Sequence, residues 1–202
     1  DGKALYVQTD VTSAEDVARL VETTIERYGR LDVLVNNAGY HISKTVEETS
    51  IDEWNFIQQT NLFSTFICSK LAIPHLKTTR GTIINISSMV GQVGQPSACA
   101  YAATKGGQIA MSKGMAIDLA RYGIRVNVIC PGWIQTPLVD DWFGQQDDEA
   151  AARQYILGQH PLGRIGTIEE CGRAALFLAC ADDSSFVTGI TLDVDGGITL
   201  GY

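Results

Sequence analysis

"LDVLVNNAG", from Leu31 to Gly39, has a pattern that decides the fold. Leu31, Val33, Leu34 and Val35 put apolar side chains on both faces of an extended segment, as a strand buried in a parallel sheet requires. Working outward, "GTIINISS" (Gly81–Ser88), "IRVNVICPG" (Ile124–Gly132) and "GITLDVDGG" (Gly189–Gly197) read as further strands, and "ALYVQTD" (Ala4–Asp10) as one upstream. Helical signals fill the gaps. Thr12 and Glu15 predict a capping box, followed by Val17, Leu20, Val21, Ile25 and Tyr28 at helical spacing and a stop at Gly29. Ser50 opens a long helix reaching about Leu76. Another helix covers roughly Ala98 to Tyr122 with Gly123 as its stop, and Thr167 with Glu170 caps a third. Strands alternating with helices predict an α/β fold, a doubly wound parallel sheet in three α/β/α layers, as a single domain over residues 1–202. The stretch from Pro137 to Pro161 is acidic, carries Trp142 and Phe143 among polar neighbours, and reads as an irregular, mobile lid.

The 202 residues are 45% hydrophobic and 19% charged, ordinary for a globular chain. A net charge of -8 is a poor match to nucleic acid or to an anionic membrane, which select basic surfaces. The five cysteines are scattered and form no zinc spacing, so no metal is expected. They read as reduced cysteines of a cytoplasmic protein. No run is long enough to cross a membrane, and no signal peptide is visible.

In an open α/β sheet, ligands bind beyond the carboxyl ends of the strands. Asp10, Asn36–Gly39, Ser87–Ser88 and Pro131–Gly132 stand at those ends. Just beyond Ser88 comes "YAATKGG", Tyr101 to Gly107. Positions i and i+4 share a helix face, so Tyr101 and Lys105 lie close. The pair reads either as solvated helix surface or, at the Ser88 edge, as a proton-moving site. A phenol titrates near pH ~10, so deprotonation near neutrality needs roughly 4 kcal/mol. One cation about 4 Å away supplies ~4 kcal/mol at an effective dielectric near 20. Lys105 is therefore adequate in size. Gly106 and Gly107 would let this helix approach a neighbour closely.

"NNAG" (Asn36–Gly39), "NISS" (Asn85–Ser88), Tyr101-x-x-x-Lys105 and "PGWIQT" (Pro131–Thr136) together resemble the classical short-chain dehydrogenase/reductase family. "PLGRIGTIEE" and "VTGITLDVDGG" extend the likeness over essentially the whole chain. The resemblance implies a Rossmann-like fold and a nicotinamide cofactor, NAD or NADP. It implies Tyr101 as acid/base, Ser88 as holder of the substrate oxygen, Lys105 as the group that tunes Tyr101 and binds nicotinamide ribose, and Asn61 as the orderer of a relay water. It further implies adenine contacts at Asp10 and Val11, a ribose side at Asn37, Ala38 and Gly39, and nicotinamide-side contacts at Pro131, Gly132, Ile134 and Thr136. Homotetramers through the long helices and the last strand are expected on the same ground.

The family opens on a strand and a glycine-rich turn for the pyrophosphate. Neither is in this sequence, which starts at what resembles the family's third strand. The expectation is that two strands and the turn, roughly fifty residues, are absent. "ALYVQTD" then lacks a ladder partner and the "NNAG" strand is an open edge. The residue that selects NAD or NADP falls in the same absent part.

Within the family, "NNAGYH", "EETS", "MVGQVGQ" and "LGY" are most similar to the 17β-hydroxysteroid dehydrogenase type 14 and L-fucose dehydrogenase group. That likeness implies substrate-facing His41 and Gln95 beside Ser88 and Tyr101, whereas Tyr40 and Trp133 depart from the pattern. The expected substrate is a small alcohol, sugar or ketone. The alternatives are a 3-oxoacyl-carrier-protein reductase, disfavoured by Asp140, Asp141, Asp147 and Asp148, and an inactive nucleotide-binding or scaffold protein, disfavoured by intact Ser88, Tyr101 and Lys105.

Overall fold

The computed structural model describes residues 4–201. Its centre is a parallel sheet of β1 (Val33–Asn36), β2 (Thr82–Ile86), β3 (Arg125–Pro131) and β4 (Thr191–Val194), in that spatial order. Successive residues of β2 point to opposite faces, as a pleat demands. Ile83 packs with Ala72, Leu76, Ala116 and Leu119, whereas Ile84 packs with Ile129 and Leu178. The first set comes from α3 (Ser64–Thr79) and α5 (Cys99–Ala120) on one face, and Leu178 from α8 (Ile168–Ala179) on the other. Helix α1 (Ala14–Tyr28) lies outside α3, burying Val17 against Ile67 and Cys68. This is the three-layer Rossmann-like arrangement expected.

Four local expectations need correction. Residues Ala4–Asp10 form no strand; Tyr6 is 85% exposed, and no described strand pairs with this segment. The cap of α1 is Ser13, which accepts from the Asp16 amide, because the Asp10 carboxylate instead takes both the amide and the hydroxyl of Thr12. The long helix is not uniform. A capping box of Ser50 and Glu53 opens α2 (Ile51–Ile57), and a π-helical segment, Gln58–Phe63, joins it to α3. The stretch after β3 is ordered into α6 (Pro137–Gly144), capped by Thr136, and α7 (Glu149–Gly158), capped by Asp148. Phe143 is buried there, and Arg153 of α7 lies 4.2 Å from its ring centre while pairing with Glu149 and Asp140.

The expected close approach at Gly106 and Gly107 is present. Between β2 and α5 runs a short turn of helix, α4 (Val90–Val93). A β-carbon on its Gly91 would stand 2.6 Å from the Lys105 carbonyl carbon, and one on Gly107 would stand 3.0 Å from Leu62. Glycine thus sets how near α4 and the π-helical segment come to α5.

Candidate active site

The carboxyl ends of β1, β2 and β3 open into a cavity of about 630 Å³. Ser88, Tyr101, Lys105, His41 and Gln95 all line it, as do Asn37, Gly39, Pro131, Gly132, Ile134 and Thr136. Ala38, Asn61, Asp10 and Val11 do not. Asp10 is instead occupied in the turn before α1.

Each side chain is placed by its element. Ser88 follows β2, and its Oγ accepts the Val90 amide at 3.2 Å as α4 begins. Its neighbour Ser87 donates to the Lys105 carbonyl at 2.8 Å, tying β2 to α5. Tyr101 and Lys105 rise one turn apart from α5. The Lys105 ammonium donates to the Ile86 carbonyl at 2.8 Å and lies 5.6 Å from the centre of the Tyr101 ring. His41 meets Tyr101 edge to face, with ring centres 4.7 Å apart.

Burial governs the ionisation of all three groups. It pushes the Tyr101 phenol up, opposed by its hydrogen bond with Ser88. It pushes Lys105 down to about 8 and lowers His41 as well. Cys130, at the end of β3, is raised to about 11 by burial, so its thiol stays protonated.

Asn61 stands behind this wall, fully buried in the π-helical segment. Its Oδ1 accepts the Tyr40 amide at 2.7 Å; its Nδ2 donates to the Tyr40 carbonyl at 2.9 Å and to Thr104 Oγ1 at 3.1 Å. A β-carbon at Gly39 would lie 3.4 Å from Asn61 Oδ1 and 3.5 Å from Lys105 Nζ. Glycine therefore leaves a hollow bordered by an ammonium donor, which suits a sugar hydroxyl of a dinucleotide. Gly132 donates to the Val194 carbonyl, and a β-carbon there would come 2.8 Å from the Asp195 Cα. The Pro131–Gly132 end is thus pinned to the last strand, leaving Ile134 and Thr136 on the cavity wall.

Sequence reading did not assign Trp142, Val139 and Met89 to the cavity, nor Thr104 and Gln108 to the surroundings of Asn61. Trp133 and Trp142 stack with centres 4.8 Å apart on one wall. Gln108 carried a usable signal, since it sits three residues after Lys105 and so on the same helix face. No group of His, Cys, Asp and Glu among the described residues could hold a metal ion. No helix among them is long and apolar enough to cross a membrane.

Comparison with known proteins agrees with this geometry. A family model described as enoyl-(acyl carrier protein) reductase matches residues 1–199. The L-fucose dehydrogenase of Bos taurus is 48% identical over 200 residues, which is 98% of this chain and 73% of the relative. The trans-4-hydroxycyclohexanecarboxylate dehydrogenase of Sinomonas cyclohexanicum is 42% identical over 98% of this chain and 72% of its own length. Among solved structures, the ligand-free aldohexose dehydrogenase of Thermoplasma acidophilum superposes with a TM-score of 0.91 at 35% identity, covering 100% of this chain and 81% of that one. Near-half identity along the chain, a matching sheet and a serine, tyrosine and lysine gathered on one cavity wall have a common explanation: this chain belongs to the short-chain dehydrogenase/reductase family, whose dehydrogenases use nicotinamide cofactors.

Proposed function

We propose that the protein is a nicotinamide-dependent dehydrogenase that oxidises a secondary hydroxyl of a small hydroxylated molecule, foremost a sugar of the L-fucose or aldohexose kind. The observation that carries this reading is the shared cavity wall of Ser88, Tyr101 and Lys105, with His41 and Gln95 beside them. Polar His41 and Gln95 suit a substrate with several hydroxyls, and the sugar dehydrogenases among its relatives support the same class.

Ser88 holds the substrate oxygen beside the Tyr101 hydroxyl, and Tyr101 takes the hydroxyl proton as the carbinol C–H bond breaks. The bound nicotinamide supplies the two-electron acceptor for the departing hydride. In the reverse direction Tyr101 returns the proton to the carbonyl oxygen. Burial opposes the Tyr101 phenolate and the Ser88 hydrogen bond favours it, while Lys105 places its ammonium 5.6 Å from the centre of the Tyr101 ring. Lys105 and Asn37–Gly39 would hold the ribose side, and Pro131, Gly132, Ile134 and Thr136 the nicotinamide side. Asp10 and Val11 would form the adenine side, and either NAD or NADP is admitted. The protein is further read as a cytoplasmic homotetramer acting through one catalytic domain.

A carrier-protein reductase is the second reading, prompted by the description of the matching family model. Asp140 and Asp141 on α6, next to cavity residues Val139 and Trp142, would repel an acidic carrier. The test is NADH and NADPH absorbance during a screen of aldoses, polyols, steroids and an acyl-carrier thioester. Oxidation of L-fucose or an aldohexose supports the sugar reading. Turnover of the thioester alone would replace it.

A further inference from the structure

Gln108 is fully buried on α5, on the face that carries Tyr101 and Lys105. Its Nε2 donates to the main-chain carbonyl of Asn61 at 2.9 Å and to Thr65 Oγ1 at 2.8 Å. Thr65 Oγ1 in turn donates to the same Asn61 carbonyl at 2.9 Å. Two side-chain donors therefore converge on one oxygen of the π-helical segment. The amide orientation is forced, because a carbonyl can only accept: the nitrogen must face Asn61. That leaves Gln108 Oε1 buried with no partner. An unpaired buried acceptor costs stability, so an apolar side chain of the same length would serve the core better. What only the amide can do here is grip the Asn61 carbonyl.

The grip has a destination. The Asn61 side chain spans the gap to β1's end by bonding both the amide and the carbonyl of Tyr40, and it donates to Thr104 beside Tyr101. Tyr40 carries His41, whose ring rests on Tyr101. A π-helical turn inside an α-helix is rare and recurs at functional sites. Without an external hold it can revert to α-helical register, which would rotate Asn61 away from Tyr40.

We propose that Gln108 is a positioning residue for the chemistry at Tyr101, clamping the Asn61 carbonyl so that the π-helical segment holds the Tyr40 backbone and thereby keeps His41 against the Tyr101 ring. The inference rests on the dehydrogenase reading above. It is tested with Gln108→Met, which keeps length and volume but removes the donor, and with Thr65→Val, which removes the companion hydroxyl. The native protein is used throughout. Two readouts are taken: the exchange rate of the Tyr40 amide hydrogen, and kcat and KM with the best substrate of the screen. Gln108→Met is expected to keep or raise the melting temperature, to speed Tyr40 exchange at least tenfold, and to lower kcat about tenfold with little change in cofactor KM. Thr65→Val shifts both in the same direction by less, and it carries the test if Gln108→Met does not fold. Wild-type exchange at Tyr40, or faster exchange with unchanged kcat, overturns the proposal. If the wild-type protein oxidises no alcohol, the dehydrogenase reading fails separately, and Tyr40 exchange alone still decides whether the clamp exists.

Discussion

The Lys105 ammonium donates to the Ile86 carbonyl at 2.8 Å, one turn along α5 from Tyr101. The last residue of β2 thus holds the cation in a buried place beside the phenol. Burial in that place, rather than the contact itself, lowers the Lys105 pKa.

Lys105 titrates at about 8 in the folded protein against 10.5 for the free side chain. Between those values the unfolded chain binds more protons than the folded one. Stability attributable to Lys105 therefore rises as pH climbs from about 8 toward 10.5, by about 3 kcal/mol at most. Buried Tyr101 and Cys130, both raised, act in the opposite sense at the alkaline end. The difference between wild type and Lys105→Met isolates the lysine. Denaturant melts at pH 7.5 and 9.5 should show wild type gaining relative to the variant; parallel curves would show that Lys105 is not depressed.

Tyr101→Phe removes one hydroxyl from the cavity and leaves the ring that touches His41. Its kcat should fall by roughly 10²–10⁴-fold, the usual size of a proton-transfer contribution. Cofactor affinity by titration calorimetry should stay within a factor of about two. Substantial turnover would remove Tyr101 from the acid/base role.

Gly91→Ala forces a methyl group to within 2.6 Å of the Lys105 carbonyl carbon, where backbone must move. Overpacking of this kind costs ~1–3 kcal/mol. The displacement also shifts Lys105 itself, so activity should drop further than stability alone explains. A fully active, equally stable Gly91→Ala protein would contradict the packing of α4 on α5.

Arg80 closes α3 in the left-handed conformation, with φ 53° and ψ 44°, a place that favours glycine. Arg80→Gly should relieve that strain against a smaller loss of unfolded-state order, for a net gain of about 0.5 kcal/mol. Urea melts measure it, and a loss of stability would show that the Arg80 stem packed beside Gly123 matters more than its backbone.

The sheet was legible because buried parallel strands write continuous apolar runs, and Leu31–Val35 and Thr82–Ile86 carry them plainly. The clustering of Tyr101 and Lys105 was legible because they lie one helical turn apart. The segment Ala4–Asp10 has a strand's composition, but a strand exists only where a neighbour completes its ladder, which local sequence cannot supply. Ser13 displaced Thr12 as a cap because Asp10 competed for the Thr12 groups. The helices α6 and α7 hid behind polar residues because their order comes from Phe143 and Arg153 packing on each other. The π-helical turn at Asn61 left little local mark, since one of its two side-chain donors arrives from Gln108, forty-seven residues on.

Asn36 and Asn85 face each other across β1 and β2, and the Asn36 amide donates to Asn85 Oδ1 at 2.7 Å. Asn36 also donates to Ser69 on α3, and Asn85 donates to Ser112 on α5 at 2.7 Å. Aliphatic strands alone would tolerate sliding by two residues, since each side chain would keep its face. Such a slip would strand both amides among hydrocarbon, at a cost of several kcal/mol. It would also carry the end of β1 about 7 Å along the axis, taking His41 out of reach of Tyr101. The asparagine pair works as an alignment pin: the folding chain accepts one strand register, and that register is the one that brings the cavity residues of β1 and β2 together.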